Sequence, residues 1–116
     1  MNVYLRNAQL KDVKILYQWV NSKDSLKNKI ITKSKIDIKS HFSWFRKYLC
    51  KNKKNLIWII IYKEKRIGQI RMDKKLKAKI FYIDIFLEEE FRGFGFAKEA
   101  FILSINELSK MYKEYK

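Results

Sequence analysis

Positions 56–62 read Leu-Ile-Trp-Ile-Ile-Ile-Tyr, with no charge and no alternation of apolar with polar side chains. A strand with one wet face alternates with period two. A short run that does not alternate belongs to a strand covered on both faces. The run is also far too short to cross a bilayer as a helix. The chain therefore needs a sheet at its centre and other elements packed against it. With 116 residues it has material for one domain around one core.

The flanking periodicities supply the other elements. Residues 3–6 form a short strand. Val13, Leu16, Tyr17 and Val20 then recur at helical spacing, and this first helix ends near Asn21. The polar, Lys-rich stretch 22–35 reads as a loop. Asp37 is a suitable N-cap for a second helix over 38–51, with Ile38, Phe42, Phe45 and Leu49 in one stripe and His41, Trp44 and Tyr48 beside it. After the apolar strand, a turn at 63–66 leads into a return strand over 67–72. A second turn at 73–77 leads into a longer strand over 78–87. There Phe81, Ile83, Ile85 and Leu87 are expected on one face, and Tyr82, Asp84 and Phe86 on the other. A last helix reaches about residue 112, its inner face predicted as Ala97, Phe101, Ile105 and Leu108. The order β-α-α-β-β-β-α predicts an α+β fold, a mostly antiparallel sheet flanked by helices.

Composition narrows the function. One cysteine, Cys50, excludes an internal disulfide, and a single histidine leaves no obvious metal cluster. The start of the chain has no basic segment followed by an apolar stretch, so no secretory signal is read. These features together fit a reducing, cytoplasmic setting with no membrane role. The net charge of +15 invites a polyanionic partner. Yet only Arg6, Arg46, Arg66, Arg71 and Arg92 are arginines, and the lysines are spread along the whole chain. The aromatics fall at core periodicities instead of interleaving with arginine. Both facts argue against a nucleic-acid surface.

The chain has three glycines, and two of them fall in one segment, Glu90-Phe91-Arg92-Gly93-Phe94-Gly95-Phe96-Ala97. The segment joins the longest predicted strand of the meander to the last helix. Glycine lets the backbone take left-handed dihedrals and approach a ligand closely. The helix that follows presents unpaired N–H groups and the positive end of its dipole. The combination suits an anion, and a pyrophosphate in particular. The competing reading of a Gly-x-Gly alone is an ordinary tight turn.

In this setting Arg92-Gly93-Phe94-Gly95-Phe96-Ala97 resembles the Arg/Gln-x-x-Gly-x-Gly/Ala signature of the GNAT superfamily of N-acetyltransferases, and Ile83-Asp84-Ile85-Phe86-Leu87 resembles its fourth strand. Upstream, Leu16-Tyr17-Gln18-Trp19-Val20-Asn21, His41-Phe42-Ser43-Trp44-Phe45 and Ile67-Gly68-Gln69-Ile70-Arg71 resemble a branch that acts in pseudaminic-acid-type amino-sugar pathways. The resemblance implies acetyl-CoA as co-substrate and no metal. It implies that backbone groups of Ile85, Phe86 and Leu87 face the pantetheine arm. The pyrophosphate would lie on Arg92, Gly93, Phe94, Gly95, Phe96 and Ala97. The acceptor would be a small-molecule primary amine, with a nucleotide sugar as the expected case.

Direct attack of an amine on a thioester needs a base, an oxyanion donor and a proton for the thiolate. Two residues are candidates for the base. Asp84 lies on the outward face of its strand, and His41 titrates in the right range. Each has a bland assignment: Asp84 pairing with a lysine or with Arg71, and His41 as a packed histidine. Gln69, Arg71 and Trp44 are candidates for acceptor contacts; a satisfied polar sheet face and a core tryptophan are the alternatives. The superfamily pattern continues past the last helix with further strands that have no counterpart in residues 1–116. The domain is thus expected to be incomplete at its C-terminus, with an open sheet edge that a dimer or a completing chain would cover. Besides an amino-sugar N-acetyltransferase, two readings stay open: a protein N-terminal or lysine acetyltransferase, and a non-catalytic remnant or basic binding module.

Overall fold

The computed structural model describes residues 3–22, 39–41, 43, 55–75 and 80–111. The elements run β1 (Val3–Asn7), a 3-10 turn (Leu10–Asp12), α1 (Val13–Val20), β2 (Asn55–Tyr62), β3 (Lys65–Lys75), β4 (Ile80–Leu87), a second 3-10 turn (Glu89–Phe91) and α2 (Phe96–Met111). Residues 39–41 and 43, inside the predicted second helix, are helical. The rest of that helix, its Asp37 cap and the 23–35 part of the expected loop lie outside the described residues. The strands form one sheet in the order β1-β2-β3-β4, so β4 is an edge strand among the described residues. The expected α+β architecture with its antiparallel meander is the one found. No helix among the described residues is long and apolar enough to cross a membrane.

The described residues fall into two compact units. The first contains β1, β2 from Ile57, β3 as far as Arg71, and residues from Ile83 through α2. β1 pairs antiparallel with β2, setting Val3 opposite Tyr62 and Leu5 opposite Ile60. The apolar run behaves as its composition demands: Ile57, Trp58, Ile59, Ile60 and Ile61 are all buried. Val3, Ile60, Ile67, Leu87, Phe96 and Ala100 make one core cluster. Removing a residue such as Ile60 to Ala would cost about 2–5 kcal/mol through lost transfer energy and the cavity left behind.

The helix of this unit buries Phe96, Ala100 and Ser104; of the predicted stripe, Ala97 packs half-buried against the core and Leu108 is half-buried, but Phe101 and Ile105 are 39% and 40% exposed. Two stripes one residue apart share the same periodicity, so spacing alone does not choose between them. Packing does. Small Ala100 and Ser104 permit close approach to the sheet, while Phe96 lies against Tyr62, its ring centroid 4.7 Å away. Ile83, expected in the core, is 39% exposed, while Ile85 is half-buried and Leu87 buried.

The β2–β3 connection is tighter than the predicted turn at 63–66. It consists of Lys63 and Glu64 alone, both with left-handed backbone, φ 48° and 65°. A two-residue hairpin loop with positive φ at both positions matches the strands' right-handed twist, which is why it is adopted without glycine or asparagine. β3 also runs on to Lys75, through part of the predicted second turn.

In the second unit, α1 is entered through a reciprocal cap. The Asp12 carboxylate accepts from the Gln9 N–H at 2.8 Å, and the Asp12 N–H donates to the Gln9 carbonyl at 2.8 Å. Asp12 is fully buried by this arrangement. Leu16 and Trp19 are the buried residues of the helix.

Candidate functional site

The glycine-containing turn is held from both ends. The Glu88 N–H donates to the carbonyl of Ile67 at 2.9 Å and secures the end of β4 against β3. The 3-10 turn closes through Phe91 N–H to Glu88 O (2.9 Å) and Arg92 N–H to Glu89 O (3.2 Å). The Arg92 side chain folds back, its Nε donating to the Leu87 carbonyl at 2.8 Å and its guanidinium lying over the Phe86 ring at 5.4 Å. Arg92 thus ties the turn to the strand that precedes it. Gly93 and Gly95 follow with φ 85° and 86°, a region that costs any residue with a Cβ about 1–2 kcal/mol. At Gly93 a Cβ would meet nothing within 4 Å, so the need for glycine there is conformational and not steric.

Beyond the turn, Glu99 N–H donates to the Gly95 carbonyl at 3.1 Å and closes the first turn of α2. Helix geometry leaves the N–H groups of Phe96, Ala97 and Lys98 without intrahelical acceptors, at the positive end of a 16-residue helix. Arg92, Gly93, Phe94 and Gly95 are all exposed. Beneath them the buried Phe96 ring lies 6.3 Å from Phe91 and 6.1 Å from Phe94. The three glutamates before the turn do not crowd it uniformly, since Glu90 is ion-paired with Lys65 at 3.3 Å. An open, conformationally set backbone at a helix N-terminus can take a phosphate or pyrophosphate, so the residues fit such a group.

A second cluster lies on β3 and β4 of the same unit. Gln69 follows Ile67 by two residues and so shares its sheet face. The Gln69 Nε2 donates to Asp84 Oδ2 at 3.1 Å, and Arg71 Nη2 lies 3.9 Å from the same oxygen. The carboxylate forces the amide assignment, because it accepts only. The other end, Gln69 Oε1, is buried and has no hydrogen-bond partner among the described residues. The Asp84 side chain stays 56% exposed, so its pairing with Arg71 is a weak, screened contact. The Asp84–Arg71 contact is the pairing the sequence offered as the alternative for Asp84, and Gln69 joins it. The hydrogen bond from Gln69 to Asp84 was not foreseen; its only sequence signal is an amide and a carboxylate on adjacent strands.

His41 belongs to the second unit. It is 2% exposed, its Nε2 lies 3.1 Å from the Val13 carbonyl, and its ring is 5.3 Å from Tyr17. A carbonyl only accepts, so Nε2 carries the hydrogen in this contact. Trp44 lies outside the described residues.

A family model described as an acetyltransferase (GNAT) domain matches residues 2–112. Among curated protein sequences none matches the chain. Solved structures share the fold. A domain from Methanocaldococcus jannaschii DSM 2661 superposes with a TM-score of 0.79 at 18% identity, covering 96% of this chain and 72% of that one. RimL, a ribosomal L7/L12 alpha-N-protein acetyltransferase in complex with coenzyme A, gives 0.78 at 16% identity, covering 97% and 66%. AAC(6')-Ib in complex with ribostamycin and coenzyme A gives 0.80 at 15%, covering 95% and 68%. The chain thus spans roughly two thirds of the length of these structures.

Proposed function

The chain belongs to the GNAT acetyltransferase family, and from that premise we propose that it binds acetyl-CoA at the 92–97 turn and transfers the acetyl group to a primary amine. The observation that carries the reading is the pair of left-handed glycines, open to solvent, between an edge strand and the N-terminus of α2. Family membership makes the anion expected there the pyrophosphate of an acyl-CoA. Solved neighbours whose names include coenzyme A support this choice. The backbone N–H groups of Gly93, Phe94, Gly95, Phe96 and Ala97 hold the pyrophosphate, and Arg92 keeps their geometry through Leu87. The edge of β4 at Ile85, Phe86 and Leu87, unpaired among the described residues, offers backbone groups to the pantetheine arm, as an added strand would pair.

The co-substrate supplies the thioester acyl group. The chain's own residues take up the amine proton and orient the acceptor. Asp84 is the proton acceptor this geometry favours. Its carboxylate is exposed to an incoming amine, and both of its protein partners engage Oδ2. Gln69 and Arg71 orient the carboxylate and border the acceptor. His41 is the second candidate, but its burial gives an amine little access. Trp44 remains a proposed acceptor contact. The amine of an amino-sugar nucleotide is the first acceptor to test. A protein N-terminus and an aminoglycoside follow, because structures of both kinds of acetyltransferase share the fold. Cytoplasmic residence is part of the same reading, as is completion of the β4 edge by a second chain.

Calorimetric titration of the 116-residue protein with acetyl-CoA tests the proposal, with Gly95→Trp as control. Micromolar binding that the tryptophan abolishes is the expected result. If the folded wild-type protein fails to bind, the remnant or basic-module reading takes its place.

A further inference from the structure

Phe94 occupies an unusual position. It sits between the two left-handed glycines, at the tip of the turn, and it is 62% exposed. A lone exposed apolar side chain needs no explanation in general. This one, however, has a supported ring. Its centroid lies 6.1 Å from that of Phe96 at an interplanar angle of 44°. Phe96 is itself buried, and held 4.7 Å from Tyr62 and 6.3 Å from Phe91. The aromatic group is thus anchored in the core at one end and presented to water at the other. Flanking glycines carry no side chains to cover it.

Resting on the acyl-CoA reading above, we infer that Phe94 is a stacking platform for the nucleobase of the co-substrate. The ligand class is accordingly an adenine-bearing pyrophosphate, not any phosphate on an acyl arm. The chemistry follows from the order of groups along the ligand. With the arm on β4 and the pyrophosphate on the turn, the nucleoside is the part that continues past the turn, one ribose away. A purine offers a flat π-face but few groups that an exposed backbone turn can satisfy. An aromatic ring fixed beside the phosphates recovers that face without desolvating a charge.

The test compares acetyl-CoA with acetyl-4′-phosphopantetheine, which keeps the acyl arm and one phosphate but lacks the nucleotide. Both are titrated into the wild-type protein, Phe94→Ala and Phe94→Trp. Base stacking on an aromatic residue is worth about a five- to hundredfold change in affinity. Phe94→Ala should therefore weaken acetyl-CoA by about tenfold and leave acetyl-4′-phosphopantetheine within twofold. Phe94→Trp should bind acetyl-CoA at least as well as wild type, and its added indole should be quenched by acetyl-CoA but not by the nucleotide-free analogue. An equal effect of Phe94→Ala on both ligands, or none on either, overturns the platform and leaves the acyl-CoA site standing. If wild-type protein binds neither ligand, the acyl-CoA reading fails and this inference fails with it. Unfolding is not a concern for interpretation, because Phe94→Trp retains an aromatic ring and the site is exposed.

Discussion

Gly68→Ala should destabilise this protein sharply, and more than the same change at Gly93. Gly68 lies in the middle of β3 with no unusual φ, so the substitution carries no conformational penalty of its own. The penalty is steric. A Cβ built there collides with the carbonyl oxygen of Phe86, and it lies 2.9 Å from Leu87 Cδ2 and 3.1 Å from Leu87 Cα. The leucine methyl can rotate away, but the two backbone atoms cannot. β3 and β4 must separate, and that strains the Glu88–Ile67 and Gln69–Asp84 hydrogen bonds on either side. Overpacking costs typically 1–3 kcal/mol. A clash with main chain belongs at the upper end, so about 3 kcal/mol is expected.

Against a total stability of about 5–15 kcal/mol that is a large share. At about 4 °C per kcal/mol for a chain of this size, the thermal midpoint should fall by about 12 °C. Urea unfolding followed by far-UV circular dichroism reads it directly, with the m-value unchanged. Gly93→Ala is the built-in comparison. It meets no atom within 4 Å and should lose only about 1–2 kcal/mol, from its left-handed φ. If Gly68→Ala loses less than about 0.5 kcal/mol, or no more than Gly93→Ala, then close approach of β3 and β4 is not what requires the glycine.

Three further outcomes are expected. Replacing Lys63-Glu64 by Asn-Gly should raise stability by about 1–2 kcal/mol in urea unfolding, because both residues now hold positive φ that Asn and Gly adopt readily. Gln69→Met keeps the volume and removes the unpartnered buried oxygen. Stability should stay within about 1 kcal/mol of wild type or rise, despite loss of the bond to Asp84; a fall above about 2 kcal/mol would mean that a water satisfies that oxygen. Arg92→Lys deletes the Nε bond to Leu87, so acetyl-CoA affinity measured by calorimetry should drop several-fold while the thermal midpoint moves by only a few degrees.

Much of this protein was determined by the sequence alone, wherever a pattern has one physical solution. The non-alternating run at 56–62 could only be a strand buried on both faces, and Ile57–Ile61 are all buried. Two of three glycines in one strand-to-helix segment marked a turn with left-handed backbone, because positive φ is where glycine is needed; both take it. Patterns with two near-equal solutions were decided by tertiary packing. α2 could present Ala97, Phe101 and Ile105 or the stripe one residue earlier, and Ala100 and Ser104 won because small side chains let the helix lie close to the sheet. Ile83 follows the alternation of its strand and is nevertheless exposed. The sequence offered Arg71 as one possible partner of Asp84 and set Gln69 on the same strand face as Arg71, but it did not join Gln69 to the carboxylate. Only the strand pairing, which depends on residues far apart in the chain, put one carboxylate oxygen within reach of both partners.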